Sequence, residues 1–212
     1  RGMEAATNAG LEAARGTWVT VLDDDDSWEP GFLEACVGRL RARSGPTVRG
    51  VVTHSTRIEE AAVGATMVEQ RRAPFTPGLQ AVTLAELTQR NLFPVNAFVY
   101  ERAALDVVGG YRSDLPVLGD WEFNLRFVGK FDVEVLPEAL ANYHQRPGAS
   151  GTYANSPSAL HLVYQARLRN EWLRADLERG RSGLGLLANL AAGLAPLQHL
   201  LAERDAHLAM LA

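Results

Sequence analysis

An α/β domain with a mostly parallel sheet and a C-terminal helical extension is the architecture this sequence predicts. Short β-branched or apolar runs alternate with segments of helical period from Met3 to Pro137. Four consecutive aspartates, Asp23 to Asp26, stand at the end of one such run. From Ser158 the pattern changes to long helices.

The elements follow in order. Ala, Leu and Glu recur at helical spacing from Met3 to Ala14, and Arg15-Gly16 stops that helix. Thr17 to Leu22 reads as a strand. Glu29-Pro30 opens a second helix, with Phe32, Leu33, Cys36, Val37 and Leu40 on one face, and Ser44-Gly45-Pro46 ends it. Val48 to Ser55 is the next strand. Arg57 to Pro77 has weak periodicity and several breakers, which predicts an irregular binding excursion. A short helix over Leu84 to Gln89, a strand over Phe93 to Tyr100 and a helix stopped by Gly109-Gly110 come next. Asp120 then precedes a helix carrying Phe123, Phe127 and Val128, and "DVEVLP" returns as a strand. Helices are expected from Ser158 to about Glu178 and from Leu184 to Ala212, the second interrupted by Pro196.

Composition narrows the function. With 21 Lys+Arg against 25 Asp+Glu the net charge is −4, and no basic excess suggests nucleic acid as a partner. The 47% hydrophobic content supplies a sizeable core. Cys36 is the single cysteine, so an internal disulfide and a multi-cysteine metal site are both excluded. A reducing, cytoplasmic location is expected, with a peripheral position at the inner face of a membrane as the alternative. The N-terminus lacks a signal-peptide core and starts without Met inside a helix, which reads as a fragment. No Asp, Glu, Lys or Arg lies between Arg181 and Glu203, but three glycines, Pro196, Asn189, Gln198 and His199 dilute that stretch. A packed helix is therefore expected before a membrane span, with shallow membrane contact or a homo-oligomer contact next.

Adjacent carboxylates repel unless something cationic offsets them. In an extended chain Asp23 and Asp25 face one way and Asp24 and Asp26 the other. Hard oxygen ligands at the carboxyl end of a parallel strand suit Mg²⁺ or Mn²⁺, which usually also binds substrate phosphates. The plain alternative is capping of the following helix by Asp26 or Ser27. Capping needs one or two such residues, not four. A calcium loop is disfavoured, because Trp28 takes the required glycine position and Pro30 follows.

These residues resemble the inverting GT-A glycosyltransferases of family 2. "NAGLEAARGTWVTVLDDDDSWEPGFLE" is similar to that family's helix, strand, Asp-x-Asp-Asp loop and Trp-x-Pro helix start. "FPVNAFVYERAALDVVGGYRSDLPVLGDWEFNLRF" is similar to its second signature. The resemblance implies a GT-A, Rossmann-like catalytic domain over residues 1–155, incomplete at its N-terminus, and a helical extension over 156–212. It implies Asp25 as metal ligand, Asp23 and Asp24 beside the nucleotide, and Asp120 as the base that deprotonates an acceptor hydroxyl. Trp121, Glu122 and Asn96 fall on the acceptor side. Asn8, Arg126 and Arg146 fall toward the nucleotide-sugar, and His144 is a candidate second contact to the metal or diphosphate. The cofactor implied is Mg²⁺ or Mn²⁺, and the donor a UDP-, dTDP- or GDP-sugar. The acceptor, whether carbohydrate, lipid-linked or protein, is not legible.

The sequence departs from the family pattern in three places. Ala6-Thr7-Asn8 lacks the family's arginine, the acidic pair before the helix is reduced to Gly119-Asp120, and the first βαβ unit is not seen before Arg1. The chain as given is therefore expected to bind donor poorly. Two other readings stay open: a truncated or degenerate module retained for protein interaction, and a nucleotidyltransferase.

Overall fold

The computed structural model describes residues 2–63, 66–147, 158–180, 183–194, 200 and 204. In chain order the elements are α1 (Met3–Ala13), β1 (Trp18–Thr20), β2 (Ser27–Trp28), α2 (Phe32–Arg41), β3 (Val48–Val63), β4 (Thr66–Pro74), α3 (Leu84–Gln89), β5 (Phe98–Glu101), α4 (Leu105–Val108), α5 (Gly119–Val128), β6 (Asp132–Gln145) and α6 (Ser158–Glu178). Residues 184–194 form a further helix.

The sheet runs β1-β5-β3-β6-β2, with β4 paired to β3. It is mixed, which corrects the expectation of a mostly parallel sheet. Among the described pairings β3 with β6 is parallel, and β1–β5, β3–β5, β3–β4 and β2–β6 are antiparallel. Alternation along a chain counts elements but does not fix their direction. Helices lie between the members of antiparallel pairs as well as parallel ones: α3 between β3 and β5, and α2 and α3 between β1 and β5.

Three boundaries differ from expectation. Asp26 and Ser27 do not cap α2: Ser27 and Trp28 form β2 against Asn142 and Ala141 of β6. The cap position is Gly31, whose φ of 88° only glycine adopts without strain. Arg57 to Pro77 is not an irregular excursion, because most of it is the β3–β4 hairpin, paired from Thr56↔Pro74 to Val63↔Thr66 with one register shift between Glu59 and Glu60. β4 is solvated on both faces, so its residues lack the apolar alternation that marks a half-buried strand. Asp120 is not a cap either. It lies in the first turn of α5, behind Leu118, the one described non-glycine residue with positive φ, at 67°. The expected boundary at 155/156 and most of the chain after Leu194 lie outside the described residues.

The core forms where α2, α4 and α5 cover the sheet. Phe98 meets the edge of Phe127 at 5.0 Å between ring centroids, and Tyr111 stacks on Phe123 at 4.3 Å. The C-terminal helices join this core rather than standing apart. Leu168 is fully buried, Trp172 meets Trp121 edge-on at 5.6 Å, and Arg169 donates to the carbonyls of Thr88 and Gln89. β6 skips two residues between Leu136↔Thr53 and Ala139↔His54, where Pro137 cannot donate to the ladder.

Gly50 sits where β3 passes under the aromatic cluster, and a Cβ there would stand 2.5 Å from Phe98 Cε2. Gly50→Ala should therefore cost about 1–3 kcal/mol through overpacking. Urea denaturation measures this as a lower midpoint at unchanged slope.

Candidate active site

Val21 to Asp26 lead from β1 to β2 and carry the acidic run. The Asp26 N–H donates to the Asp23 carbonyl at 3.1 Å, which closes a turn and sends the four side chains in different directions. Asp24 is exposed at its tip, whereas Asp23, Asp25 and Asp26 are half-buried.

Each half-buried aspartate has its own surroundings. Asp25 Oδ2 accepts from Arg146 Nη1 at 3.0 Å. Asp26 Oδ1 accepts the His144 backbone N–H at 2.9 Å, while its buried Oδ2 has no partner among the described residues. Burial, then the charges of Asp25 and Asp23, push the Asp26 carboxyl up to about 7 against that hydrogen bond and Arg146. A carboxyl in that state holds its proton on the orphaned oxygen near neutrality. Asp23 is pushed up to about 6, by burial first and then by Asp25, Asp120, Asp24 and Glu4.

A second acidic group comes from α1 and α5. Burial raises the Asp120 carboxyl, while the Trp121 backbone N–H and the Asn91 amide lower it. Asn91 Nδ2 donates to Asp120 Oδ2 at 2.6 Å, and buried Asn124 Nδ2 donates to Asn91 Oδ1 at 3.2 Å, so the Asn91 amide has one orientation. Glu4, buried on α1, is raised by its burial and by Asp120. It packs on the start of α5 so closely that a Cβ at Gly119 would lie 2.5 Å from Glu4 Oε1.

The end of β6 closes the other side. His144 Nδ1 lies 2.9 Å from Glu60 Oε1 and Nε2 lies 3.1 Å from Ser27 Oγ. A carboxylate cannot donate, so the ring proton is on Nδ1 and Ser27 donates to Nε2 in the neutral imidazole. Arg146 Nε lies 3.4 Å from Glu60 Oε2. Arg146 and His144 thus bridge the β3–β4 hairpin to the acidic turn.

The structure brings Asp23, Asp25, Asp26, Asp120, His144 and Arg146 to one end of the sheet. Other expected site residues are engaged elsewhere. Asn8 is locked to Tyr111, donating to its carbonyl at 2.7 Å and accepting its N–H at 2.8 Å. Asn96 is fully buried and donates to the Asn142 carbonyl, while Trp28 Nε1 donates to its own carbonyl. Trp121 is buried with Nε1 bonded to the Leu87 carbonyl. Glu122 is buried and holds Arg126 through both nitrogens at 2.8 Å, and Arg126 also donates to the carbonyls of Val108 and Gly110. In these contacts the polar atoms of Asn8, Asn96, Trp121, Glu122 and Arg126 tie α1, β6, α3 and α4 together. Both ring nitrogens of His144 are engaged, by Glu60 and by Ser27. Glu4, Glu60, Asn91 and Asn124 are site neighbours the sequence reading missed. Only Glu4 had a visible signal, its i, i+4 spacing with Asn8 on one face of α1.

Residues 1–81 match the family model Glycosyl transferase family 2. An uncharacterized glycosyltransferase of Bacillus subtilis, YwdF, is 27% identical over 145 residues, 67% of this chain and 50% of that protein. A PGL/p-HBAD biosynthesis glycosyltransferase of Mycobacterium bovis is 25% identical over 173 residues, 79% of this chain and 60% of that one. The chain thus spans about half the length of the curated relatives it matches. The crystal structure of S. aureus TarS 1-349 in complex with UDP-GlcNAc superimposes with a TM-score of 0.55 at 16% identity, covering 79% of this chain and 45% of that one. The chain is thus similar to family 2 glycosyltransferases over residues 1–81, and its fold is of the GT-A kind.

Proposed function

We propose that the protein transfers a sugar from a nucleotide-sugar donor to an acceptor hydroxyl with inversion, using Asp120 as base and Asp25 as the protein ligand of a divalent cation. The observation that carries this reading is the position of Asp23, whose carboxyl is raised both by Asp25 on the acidic turn and by Asp120 on α5. Two acidic groups far apart in sequence therefore share one field, as a reaction with separate diphosphate and acceptor ends requires.

Asp25 fits a hard cation. It offers carboxylate oxygen, its side chain is 35% exposed, and the neighbouring carboxylates are short of positive charge. Among the described residues no group of three His, Cys, Asp or Glu could hold a metal ion. Water and diphosphate oxygens would complete the shell, as is usual for Mg²⁺ and Mn²⁺. Such an ion supplies neutralisation of charge on the departing diphosphate.

The chain's own residues do the rest. Asn91 holds one oxygen of Asp120, and burial makes this carboxylate a stronger base than an ordinary aspartate. Asp120 takes the acceptor proton as the acceptor oxygen attacks the anomeric carbon, and the carbon–oxygen bond to the diphosphate breaks from the opposite face. Arg146, beside Asp25, has the guanidinium geometry to meet a phosphate oxygen.

Asp120→Asn should lower kcat by about 10²–10⁴ with the fold retained, and Asp25→Ala should abolish stimulation by Mn²⁺. Transfer assays on the natural polypeptide check both, and wild-type rates in the two variants would remove the assignment. Asn91→Ala removes an amide that lowers the Asp120 pKa, so the acidic limb of kcat/KM should move to higher pH and kcat should fall by about 10–100-fold. A merely structural role for Asn91 would leave that limb in place.

The raised carboxyls also fix a pH dependence of stability. Asp23 and Asp26 bind protons more tightly folded than unfolded, so their contribution is full below the ordinary aspartate value of 3.8 and is lost as pH rises through about 6 and about 7. Tm of the metal-free protein should fall across that window. Asp26→Asn, which keeps the acceptor for His144 N–H, should flatten the fall in differential scanning fluorimetry.

A further inference from the structure

The helix over 184–194 divides its residues in the opposite way to a helix facing water. Its small residues face inward. A Cβ on Gly185 would lie 2.2 Å from the Trp172 carbonyl carbon, so the helix docks almost backbone to backbone on α6. Ala188 and Ala191 are buried, and Asn189 Nδ2 donates to the Arg169 carbonyl at 3.1 Å. Asp176 of α6 accepts the N–H groups of Gly183 and Leu186 and fixes the helix start.

Three of its leucines face outward, while Leu184 packs on the core. Leu186, Leu190 and Leu194, four residues apart on one face, are 37%, 58% and 53% exposed. On α6 the exposed stripe Val163, Arg167, Asn170, Arg174, Leu177 interleaves apolar and basic side chains, with exposed Leu162 beside it. Leucines on an amphipathic helix normally face the core. Here the core side is taken by Gly185, Ala188 and Ala191 with Leu184, so the face of Leu186, Leu190 and Leu194 is left for a partner.

We propose that the outer face of this helical hairpin docks on an anionic lipid surface, with Leu186, Leu190 and Leu194 entering the acyl boundary and Arg167 and Arg174 meeting headgroup phosphates. Charge selects this occupant. Exposed Arg167 and Arg174 outnumber exposed Glu178 on α6, with exposed Arg179 just beyond it, and Glu171 and Asp176 are spent on Arg112 and the helix start. A second copy seated on the same face would bring its own arginines against these, whereas lipid phosphates complement them. No helix among the described residues is long and apolar enough to cross a membrane, so the hairpin lies on the surface rather than through it.

Co-sedimentation of the full chain with extruded vesicles tests this, using phosphatidylcholine alone and phosphatidylcholine with about one third phosphatidylglycerol. Partition onto the anionic vesicles is expected, on the order of tenfold weaker on the neutral ones and weakened by salt. Replacing Leu186, Leu190 and Leu194 together by Ser should cost at least about tenfold in partition with an unchanged melting curve, because these side chains are exposed. Arg167→Gln and Arg174→Gln should each cost about fivefold on anionic vesicles. No partition, or equal partition by the triple leucine variant, overturns the proposal. So does a lipid-free dimer in sedimentation velocity that the triple variant abolishes, which would give the face to a second copy.

Discussion

Six residues, Val21 to Asp26, have to connect the two outer strands of one sheet, because β1 and β2 lie at opposite ends of the order β1-β5-β3-β6-β2. Seven Cα steps reach at most about 25 Å. Four inter-strand spacings already take roughly 19 Å in a flat sheet, and the Asp23–Asp26 turn shortens the link further. The link therefore spans the sheet with little slack. The acidic run is a strap from one edge of the sheet to the other, and it passes over the strand ends where β6 finishes.

The strap's position sets its electrostatics. β6 arrives beside it through the parallel pairing with β3, which runs from Val48↔Asp132 to Glu59↔Gln145. That register puts His144 and Arg146 against Asp26 and Asp25, and it carries Glu60 from the β3–β4 hairpin to the same place. Four aspartates in a row are tolerable because they do not share one environment. Asp24 is in water, Asp25 has Arg146, and Asp26 and Asp23 have carboxyls raised far enough to accept protons.

The sequence made the element inventory legible where burial is one-sided. α2 buries Phe32, Cys36 and Leu40 on one face, and α1, α2, α5 and α6 fall within a few residues of expectation. It was least legible where a residue's partner is set by register. Arg126 has the chemistry to bind phosphate, yet the Gly109-Gly110 turn presents it with two carbonyls and Glu122 supplies a carboxylate one helical turn away. Asn96 has the chemistry to meet an acceptor hydroxyl, yet the β2–β6 pairing buries it under Trp28 and Asn142. Asn91 shows the converse: nothing in "RNLFP" marks it, and only the packing of the loop after α3 against α5 brings its amide to Asp120. The acidic turn was legible because adjacent like charges need an explanation at any register.

Asp23 makes the two ends of the site interdependent. Its carboxyl feels Asp25 on one side and Asp120 on the other, and Coulomb interactions are mutual. A cation held at Asp25 favours the ionised form of Asp23, so its arrival releases protons near pH 6. Ionised Asp23 then repels the charge on Asp120 while the cation attracts it, so the two act on that carboxylate in opposite directions. In the proposed reaction, occupation of the diphosphate end is thus felt at the acceptor end, partly through Asp23. The coupling requires Asp23 to stay half-buried, since full solvation would screen both charges from it.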